Sequence, residues 1–466
     1  MNYIVIDQGT SSTKAFLFNS KGKIIHQNRI KHTLNNPKKF HFEFDANTIV
    51  STIKILFKEM VISTKDTPIK YAGMSVQRST FLFWDKKTIK PVTHAISWQD
   101  SRAHNTIKEL IKYKYKLWDI TGTPLSPHFG GPKFLHLSQN NSHLKKLLKN
   151  NKIYFGPLSS FLIHSMTGNI ALDNTIASRT LLFNIAKNKW SKFALKLFRV
   201  PESCLPPIVP VEHNYGNLFN SNICLKTVIG DQQAALIGQN DLKENSFGAN
   251  FGTSGSIQYN IGNKPKIIKG LISSVLFSNH KKNIFMLEGT INSCNGLFYY
   301  LEKKLNINHN TMNWDERVKD INTNGVFIPG FSGIASPYWK TGFDDILIDL
   351  GQDKNQIIRA AMESIGFLTN DIICFFEKNN IALPQTLTVS GGGARQSLLQ
   401  FISNISGKQL LLTKSKDKTA IGVLKILLTS VNQIVDPNIN DRISFIPKGS
   451  NKSKVRKWRK AIRNYL

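Results

Sequence analysis

Cysteine is scarce. The 466 residues hold four, Cys204, Cys224, Cys294 and Cys374. None stand at metal-ligand spacing and no Cys-x-x-Cys pair occurs, which excludes a disulfide scaffold, a zinc ribbon and a thioredoxin-like redox motif. Acidic residues are also few, 30 Asp+Glu against 61 Lys+Arg, for a formal charge of +31. Arg is rare relative to Lys, although Arg does most bidentate reading of bases and phosphates. The Lys residues are scattered among abundant Asn, Ile and Phe. They describe a solvated surface, and no nucleic-acid motif accompanies them, so no nucleic-acid partner is expected. No apolar run reaches membrane length, so no membrane insertion is expected. The chain opens on an apolar strand, Tyr3-Ile4-Val5-Ile6, without a basic-then-apolar leader. A cytoplasmic, reducing location is the expectation.

Against these shortages stand 41% hydrophobic and 10% aromatic residues, enough for well-formed cores. The length is too great for one core, so two domains are expected. The organising stretch is Val228-Ile229-Gly230-Asp231-Gln232-Gln233-Ala234-Ala235-Leu236, a buried strand running into a helix with an acid at the junction. Taken alone, Asp231 reads as a helix N-cap. Earlier in the chain, Tyr3–Ile6 and Ala15–Phe18 flank the polar turn Asp7-Gln8-Gly9-Thr10-Ser11-Ser12-Thr13-Lys14. A third strand follows from Lys23 to Gln27. A helix is predicted over 46–60 and strands over 69–76 and 80–84. The polar cluster Ser97-Trp98-Gln99-Asp100-Ser101-Arg102 leads into a helix reaching about Tyr115. Gly122–Lys133 is rich in Pro and Gly and reads as loop.

The opening device recurs at Ala249-Asn250-Phe251-Gly252-Thr253-Ser254-Gly255-Ser256, one domain length later. This internal repeat suggests duplicated domains with a linker near 240. A helix over 355–376 and a strand over 386–389 follow, the strand ending in Ser390-Gly391-Gly392-Gly393. Helices then start near Gln396 and Thr419. The tail, Lys452–Leu466, reads as a basic helix with Trp458, Ile462 and Leu466 on one side.

These pieces suit phosphoryl chemistry. A Gly-Thr-Ser hairpin aims backbone N–H groups and hydroxyls into a concavity that fits a phosphate. Lys14 adds a point charge, and the Gly-rich turn before Gln396 lets a flat base or ribose approach. Two acids at strand ends, Asp7 and Asp231, match the hard oxygen donors Mg²⁺ prefers. Asp231 can also serve as the base that phosphoryl transfer to a hydroxyl requires.

The residues together resemble the FGGY carbohydrate kinases, and among them the glycerol-phosphorylating members. The motifs are Asp7-Gln8-Gly9-Thr10-Ser11-Ser12, Gln77-Arg78, Trp98-Gln99-Asp100-Ser101-Arg102, Ala177-Ser178-Arg179-Thr180-Leu181-Leu182-Phe183-Asn184-Ile185, Gly230-Asp231-Gln232-Gln233, Phe331-Ser332-Gly333, Ala335-Ser336-Pro337-Tyr338-Trp339 and Ser390-Gly391-Gly392. They run from Ile4 to about Leu428. The resemblance implies an α/β fold of two duplicated actin/ribonuclease-H-like domains, 1–238 and 239–466, closing on an interdomain ATP and substrate cleft. It implies ATP and Mg²⁺, and a small polyol or sugar as acceptor, glycerol first and a pentulose second. A homo-oligomer is compatible with it.

By the same resemblance Asp231 is the catalytic base. Asp7 and Asp231 serve the metal. Thr10, Ser11, Ser12, Lys14, Thr253, Gly392 and Gln396 meet the nucleotide, and Arg78, Ser79, Trp98, His128, Asp231 and Gln232 surround the acceptor. The departures cluster around the acceptor. Ser79 replaces a Glu, His128 a Tyr and Ser256 an aromatic. Lys14 replaces an Arg and Gln396 an Asn. Such a pocket admits a longer polyol or a ketose, and a degenerate nucleotide-binding scaffold is the reading from another class. The segment upstream of residue 230 is short where glycerol-phosphorylating members carry a regulatory loop. Asp345 and Asp349 stand where the second family signature usually has Gly.

Overall fold

The computed structural model describes residues 1–64, 67–413, 417–433 and 442–465. The chain forms two compact units. The first gathers Met1–Asp241, Ile261–Met286 and Asp417–Asn438, and the second Leu242–Asn260, Leu287–Lys416 and Ile439–Leu466.

The first unit is built on a sheet of β1 (Asn2–Gln8), β2 (Ser12–Phe18), β3 (Ile24–Lys31), β4 (Ile69–Val76) and β5 (Cys224–Gly230). Their order is β5-β4-β1-β2-β3. The first three form an antiparallel meander, while β4 and β5 run parallel to β1. Parallel strands covered on both faces read as continuous apolar runs. Tyr3, Ile4, Val5 and Ile6 accordingly have no exposed surface. Register aligns Gln8 with Val76 and Val76 with Gly230, so three neighbouring strands end level. In open α/β sheets that edge is where ligands bind.

Two helices explain why residues 417–433 return to this unit. The helix Asp231–Asn240 follows β5, and the helix Lys418–Ser430 crosses it backbone to backbone. A Cβ on Gly238 would lie 1.9 Å from the Lys418 carbonyl oxygen, and one on Gly422 1.9 Å from that of Ala234. Gly73 in β4 makes room for Val423 in the same way, with an added Cβ 2.5 Å from its Cγ1. Three glycines far apart in sequence thus dock one helix.

A small antiparallel sheet of Glu43–Phe44, Ala95–Ile96, Phe81–Asp85 and Ile153–Pro157 carries the Trp98 loop. Two expectations change nearby. The predicted loop 122–133 ends early, because a helix starts at Gly130 and runs to Asn140. Pro132 sits in its first turn, where a missing N–H costs nothing. The helix expected up to Tyr115 is broken into His104–Lys108, a 3-10 turn Ile111–Tyr113 and Lys114–Thr121.

In the second unit, β6 (Phe247–Phe251) and β7 (Gly255–Gly262) form an antiparallel hairpin. Next to β6 lie β8 (Thr386–Ser390), β9 (Gln409–Thr413) and β10 (Arg442–Phe445), in the order β7-β6-β8-β9-β10. β8 is parallel to β6, as β4 is to β1. The repeat in the sequence is therefore a repeat of topology. The helix Lys354–Lys378 starts at an Asp353 cap that accepts from the Asn355 and Gln356 amides.

The tail helix spans Lys452–Tyr465. Trp458 is buried, donates Nε1 to Asp371 at 2.6 Å and stacks on Phe367. Ile462 is buried on the same side, whereas Leu466 lies outside the described residues. The two acids at signature glycine positions also find roles. Asp345 accepts from Tyr300, Lys304 and the amides of Gly330 and Phe331. Asp349 keeps a positive φ of 50° and pairs with Lys457.

Candidate active site

The level ends of β1, β4 and β5 put Asp7, Arg78 and Asp231 on one edge of the first unit. Asp231 is the first residue of its helix, and Gly230 is the N-cap. The carboxylate therefore does not cap the helix as the sequence alone suggests. Its Oδ1 accepts from the Gln232 amide at 2.8 Å and lies 3.5 Å from Arg78 Nε. The Arg78 side chain is 9% exposed and that of Asp231 26%, so the pair is drier on the cation side.

Asp7 accepts from Ser75 Oγ at 2.8 Å, a neighbour the register of β1 and β4 dictates. Burial raises the Asp7 carboxyl to about 6. The Ser75 hydrogen bond and Lys14 oppose the rise, while Asp231 and Asp417 add to it. Lys14 reaches Asp417 Oδ1 at 2.7 Å. Asp417 escapes sequence reasoning because 403 residues separate it from Lys14. Three carboxylates and one ammonium thus share this edge.

The first hairpin closes with Gly9 N–H donating to the Ser12 carbonyl at 3.0 Å, and leaves Ser11 exposed. Thr10 Oγ1 accepts from Trp98 Nε1 at 2.8 Å and lies 3.4 Å from Gln77 Oε1. Its single proton goes to Gln77, so Thr10 offers a ligand its backbone rather than an O–H. Trp98 in turn offers its ring face, because its N–H is spent.

The expected acceptor residues divide. Gln232 is half-buried next to Asp231. His128 is half-buried and hydrogen-bonds through Nδ1 to the Trp98 carbonyl at 3.0 Å. A carbonyl only accepts, so Nδ1 carries the proton and Nε2 is left an acceptor. Burial, with the Lys133 ammonium nearby, pushes the imidazole down to about 4. Lys133 is fully buried and donates to the carbonyls of Ser79 at 3.0 Å and Ser97 at 2.6 Å. Burial lowers it to about 7. Ser79 differs from expectation. It is 6% exposed, has a φ of 61° and turns its hydroxyl to the Arg179 carbonyl. It shapes the loop through its backbone and offers no hydroxyl outward.

The second unit holds the other expected residues. Thr253 is exposed, and its carbonyl accepts from the amides of Cys294 and Gly296. Gly391 has a φ of 102°, and a Cβ there would lie 2.3 Å from the Phe251 carbonyl oxygen. Gly392 is open, with nothing within 4 Å of an added Cβ. Gln396, exposed, opens the helix Gln396–Ser406. Beside this turn is a cavity of about 410 Å³ whose lining includes Tyr299, Met312, Trp314, Asp315, Gly392 and Arg395. The Arg395 guanidinium lies 4.8 Å from the Phe298 ring centre and 5.7 Å from that of Trp314. The cavity is open-sided and mostly polar, with the rings of Tyr299 and Trp314 in its lining. Ser256 is buried on β7 opposite Asn250.

Among the described residues no helix is long and apolar enough to cross a membrane. The chain resembles known kinases along its length. A protein named glycerol kinase from Saccharolobus islandicus is 31% identical over 432 residues, covering 90% of this chain and 86% of that protein. Glycerol kinase 1 of Thermotoga maritima is 29% identical over 465 residues, covering 96% and 94%. The crystal structure of Plasmodium falciparum glycerol kinase with ADP superposes with a TM-score of 0.88 at 28% identity, covering 100% of this chain and 98% of that one. A ligand-bound xylulose kinase from Lactobacillus acidophilus shares the fold, with a TM-score of 0.84 at 18% identity and coverage of 100% and 96%. Residues 2–238 match the N-terminal domain, and residues 248–430 the C-terminal domain, of the FGGY family of carbohydrate kinases. The chain belongs to that family.

Proposed function

We propose that the protein transfers the terminal phosphoryl group of ATP to a primary hydroxyl of glycerol, giving glycerol 3-phosphate. The convergence of Asp7, Arg78 and Asp231 at three level strand ends carries this reading. The relatives named glycerol kinase supply the acceptor. Asp231 takes the proton of the attacking hydroxyl while its oxygen bonds to phosphorus and the bond to the ADP oxygen breaks. Arg78, whose Nε lies 3.5 Å from Asp231 Oδ1, orients the carboxylate. Trp98 supplies an apolar wall, and Gln232 and the Nε2 of His128 meet acceptor hydroxyls.

The first unit holds the acceptor and the base, with Lys14, Ser11, Ser12 and the Thr10 backbone facing the phosphates. The second holds the nucleotide through the Thr253 backbone, Gly392, Gln396 and the cavity beside them. Asp7 and Asp231 would hold Mg²⁺. Mg²⁺ takes one or two carboxylates and completes its shell with phosphate and water. The ion neutralises polyphosphate charge when bound.

A pentulose acceptor is the second reading. It is favoured by the inward turn of Ser79, which leaves the acceptor side without the carboxylate that glycerol-phosphorylating relatives place there. ADP release measured across glycerol, tetritols and pentuloses separates the two. No turnover with any acceptor would leave a nucleotide-binding scaffold instead. Asp231→Asn should abolish turnover, a loss of about 10³-fold or more, while ATP still binds. Retained turnover would remove Asp231 from the role of base. Four free cysteines, none in a disulfide, suit a cytoplasmic setting.

A further inference from the structure

The turn that delivers Asp231 is held from both sides by one residue, Thr175. The Gly230 amide donates to Thr175 Oγ1 at 2.9 Å. Beyond Asp231, Gln233 Nε2 approaches the Thr175 carbonyl at 3.5 Å and donates to that of Val275 at 3.2 Å. Gly230 has no room to drift, since a Cβ there would sit 2.5 Å from Gln233 Oε1 and 3.0 Å from Arg78 Cδ. The Thr175 hydroxyl accepts from an amide, so its proton must point elsewhere. It goes to the Asp173 carboxylate. The same Asp173 Oδ1 accepts the amides of Thr175 at 3.1 Å and Ile176 at 3.0 Å, capping the four-residue helix Asn174–Ala177.

Both side chains are fully buried, and Asp173 Oδ2 has no hydrogen-bond partner among the described residues. Capping so short a helix needs only one oxygen and does not require a buried carboxyl. What the carboxyl adds is a fixed direction for the Thr175 hydroxyl. That direction sets where the Gly230 amide, and so the following Asp231, must point.

We infer that Thr175, oriented by Asp173, is a positioning residue for phosphoryl transfer, aiming the Asp231 carboxylate through the Gly230 backbone. The inference rests on the reading of Asp231 as base. It is tested in the full chain with ATP and glycerol by measuring kcat, both KM values, nucleotide binding and the thermal midpoint. Thr175→Val keeps the volume and removes the hydroxyl. It should lower kcat about 10- to 100-fold, with both KM values within about 3-fold, because misaim costs rate more than binding. Thr175→Ser restores the hydroxyl and should return kcat to within about 3-fold of the parent.

A Val variant with unchanged kcat and only a lower thermal midpoint overturns the inference, as does a Ser variant impaired as much as Val. Should the Val variant not fold, Asp173 carries the test. Asp173→Asn keeps an accepting oxygen and should retain kcat within about 3-fold, while Asp173→Ala should lose it as Thr175→Val would. Equal activity of those two variants overturns the inference. Asp231→Asn separates the failures. Turnover surviving in that variant breaks the base assignment itself, whereas its loss beside an unimpaired Thr175→Val breaks this inference alone.

Discussion

The two strand–turn–strand hairpins share a topology and differ in what holds them. At Gly9-Thr10-Ser11-Ser12 side chains add to a backbone tie, the His32 amide on the Ser11 carbonyl: Thr10 bonds Trp98 and Gln77, and Lys14 pairs with Asp417. At Gly252-Thr253-Ser254-Gly255 the ties are backbone: the Gly252 carbonyl takes the Asn295 amide, and the Thr253 carbonyl takes those of Cys294 and Gly296. Charge is distributed the same way. The first hairpin borders three carboxylates and an ammonium, while the second meets the start of the helix Asn295–Lys304. One device was thus built twice. The first copy carries charges that can act on a phosphoryl group, and the second a turn tied by its backbone that can hold a ligand in place.

The largest effect within that contrast falls on the first hairpin. Lys14→Ala removes a charge from the phosphate side and should cut kcat/KM for ATP by roughly 10²- to 10³-fold. Thr253→Ala leaves the second hairpin's backbone ties in place and should change kcat/KM by less than about 3-fold. Equal losses at the two hairpins would show that both act through side chains, and the contrast would collapse.

How much of this the sequence could reveal depends on distance along the chain. Asp7, Arg78 and Asp231 were legible because each follows an apolar strand run, and parallel strands bring such ends together. The duplicated hairpin was legible as a motif. Asp417 was not, since its partner Lys14 is distant and no local pattern marks it. The direction of a side chain was not legible either. Ser79 carries a hydroxyl, yet its left-handed backbone turns that hydroxyl to Arg179. The return of the helix Lys418–Ser430 to the first unit depends on Gly73, Gly238 and Gly422, each ordinary in its own segment and meaningful only together.

The second prediction compares the buried acids of the two units. Asp371 is raised by burial, but Trp458 and Tyr338 donate to it and Arg459 lies 3.9 Å away. Asp173 is raised by burial to about 7 against its capping hydrogen bonds, and among the described residues no cation pairs with it. An unfolded Asp titrates near 4, so between about pH 4 and 7 the folded chain keeps a proton that the unfolded chain has lost. Stability must fall as pH rises through that window and level off above it, by up to about 4 kcal/mol. Asp173→Asn holds the neutral form at every pH. Its thermal midpoint, relative to the parent, should rise by several degrees between pH 5 and pH 8. A constant difference would place the ionised form of Asp173 in the native state.

The smallest expected effect tests backbone against backbone. Gly391 forms the turn after β8 with a φ of 102°, and a Cβ there would meet the Phe251 carbonyl oxygen at 2.3 Å and Asn250 Oδ1 at 2.5 Å. Gly9 begins the first hairpin's turn, and its nearest neighbour to an added Cβ, the Ser12 carbonyl oxygen, is 3.3 Å away. The left-handed region and the contact both penalise Gly391→Ala, which should cost roughly 1–3 kcal/mol in denaturant unfolding. Gly9→Ala should cost less than about 1 kcal/mol, because only a slight shift of Ser12 is needed. If the second unit depends on its backbone for holding a ligand, Gly391→Ala should also raise KM for ATP while leaving kcat nearly unchanged. Gly9→Ala should leave stability intact and act, if at all, on kcat. The reverse assignment of KM and kcat effects would mean that the first copy holds the nucleotide and the second helps transfer the phosphoryl group.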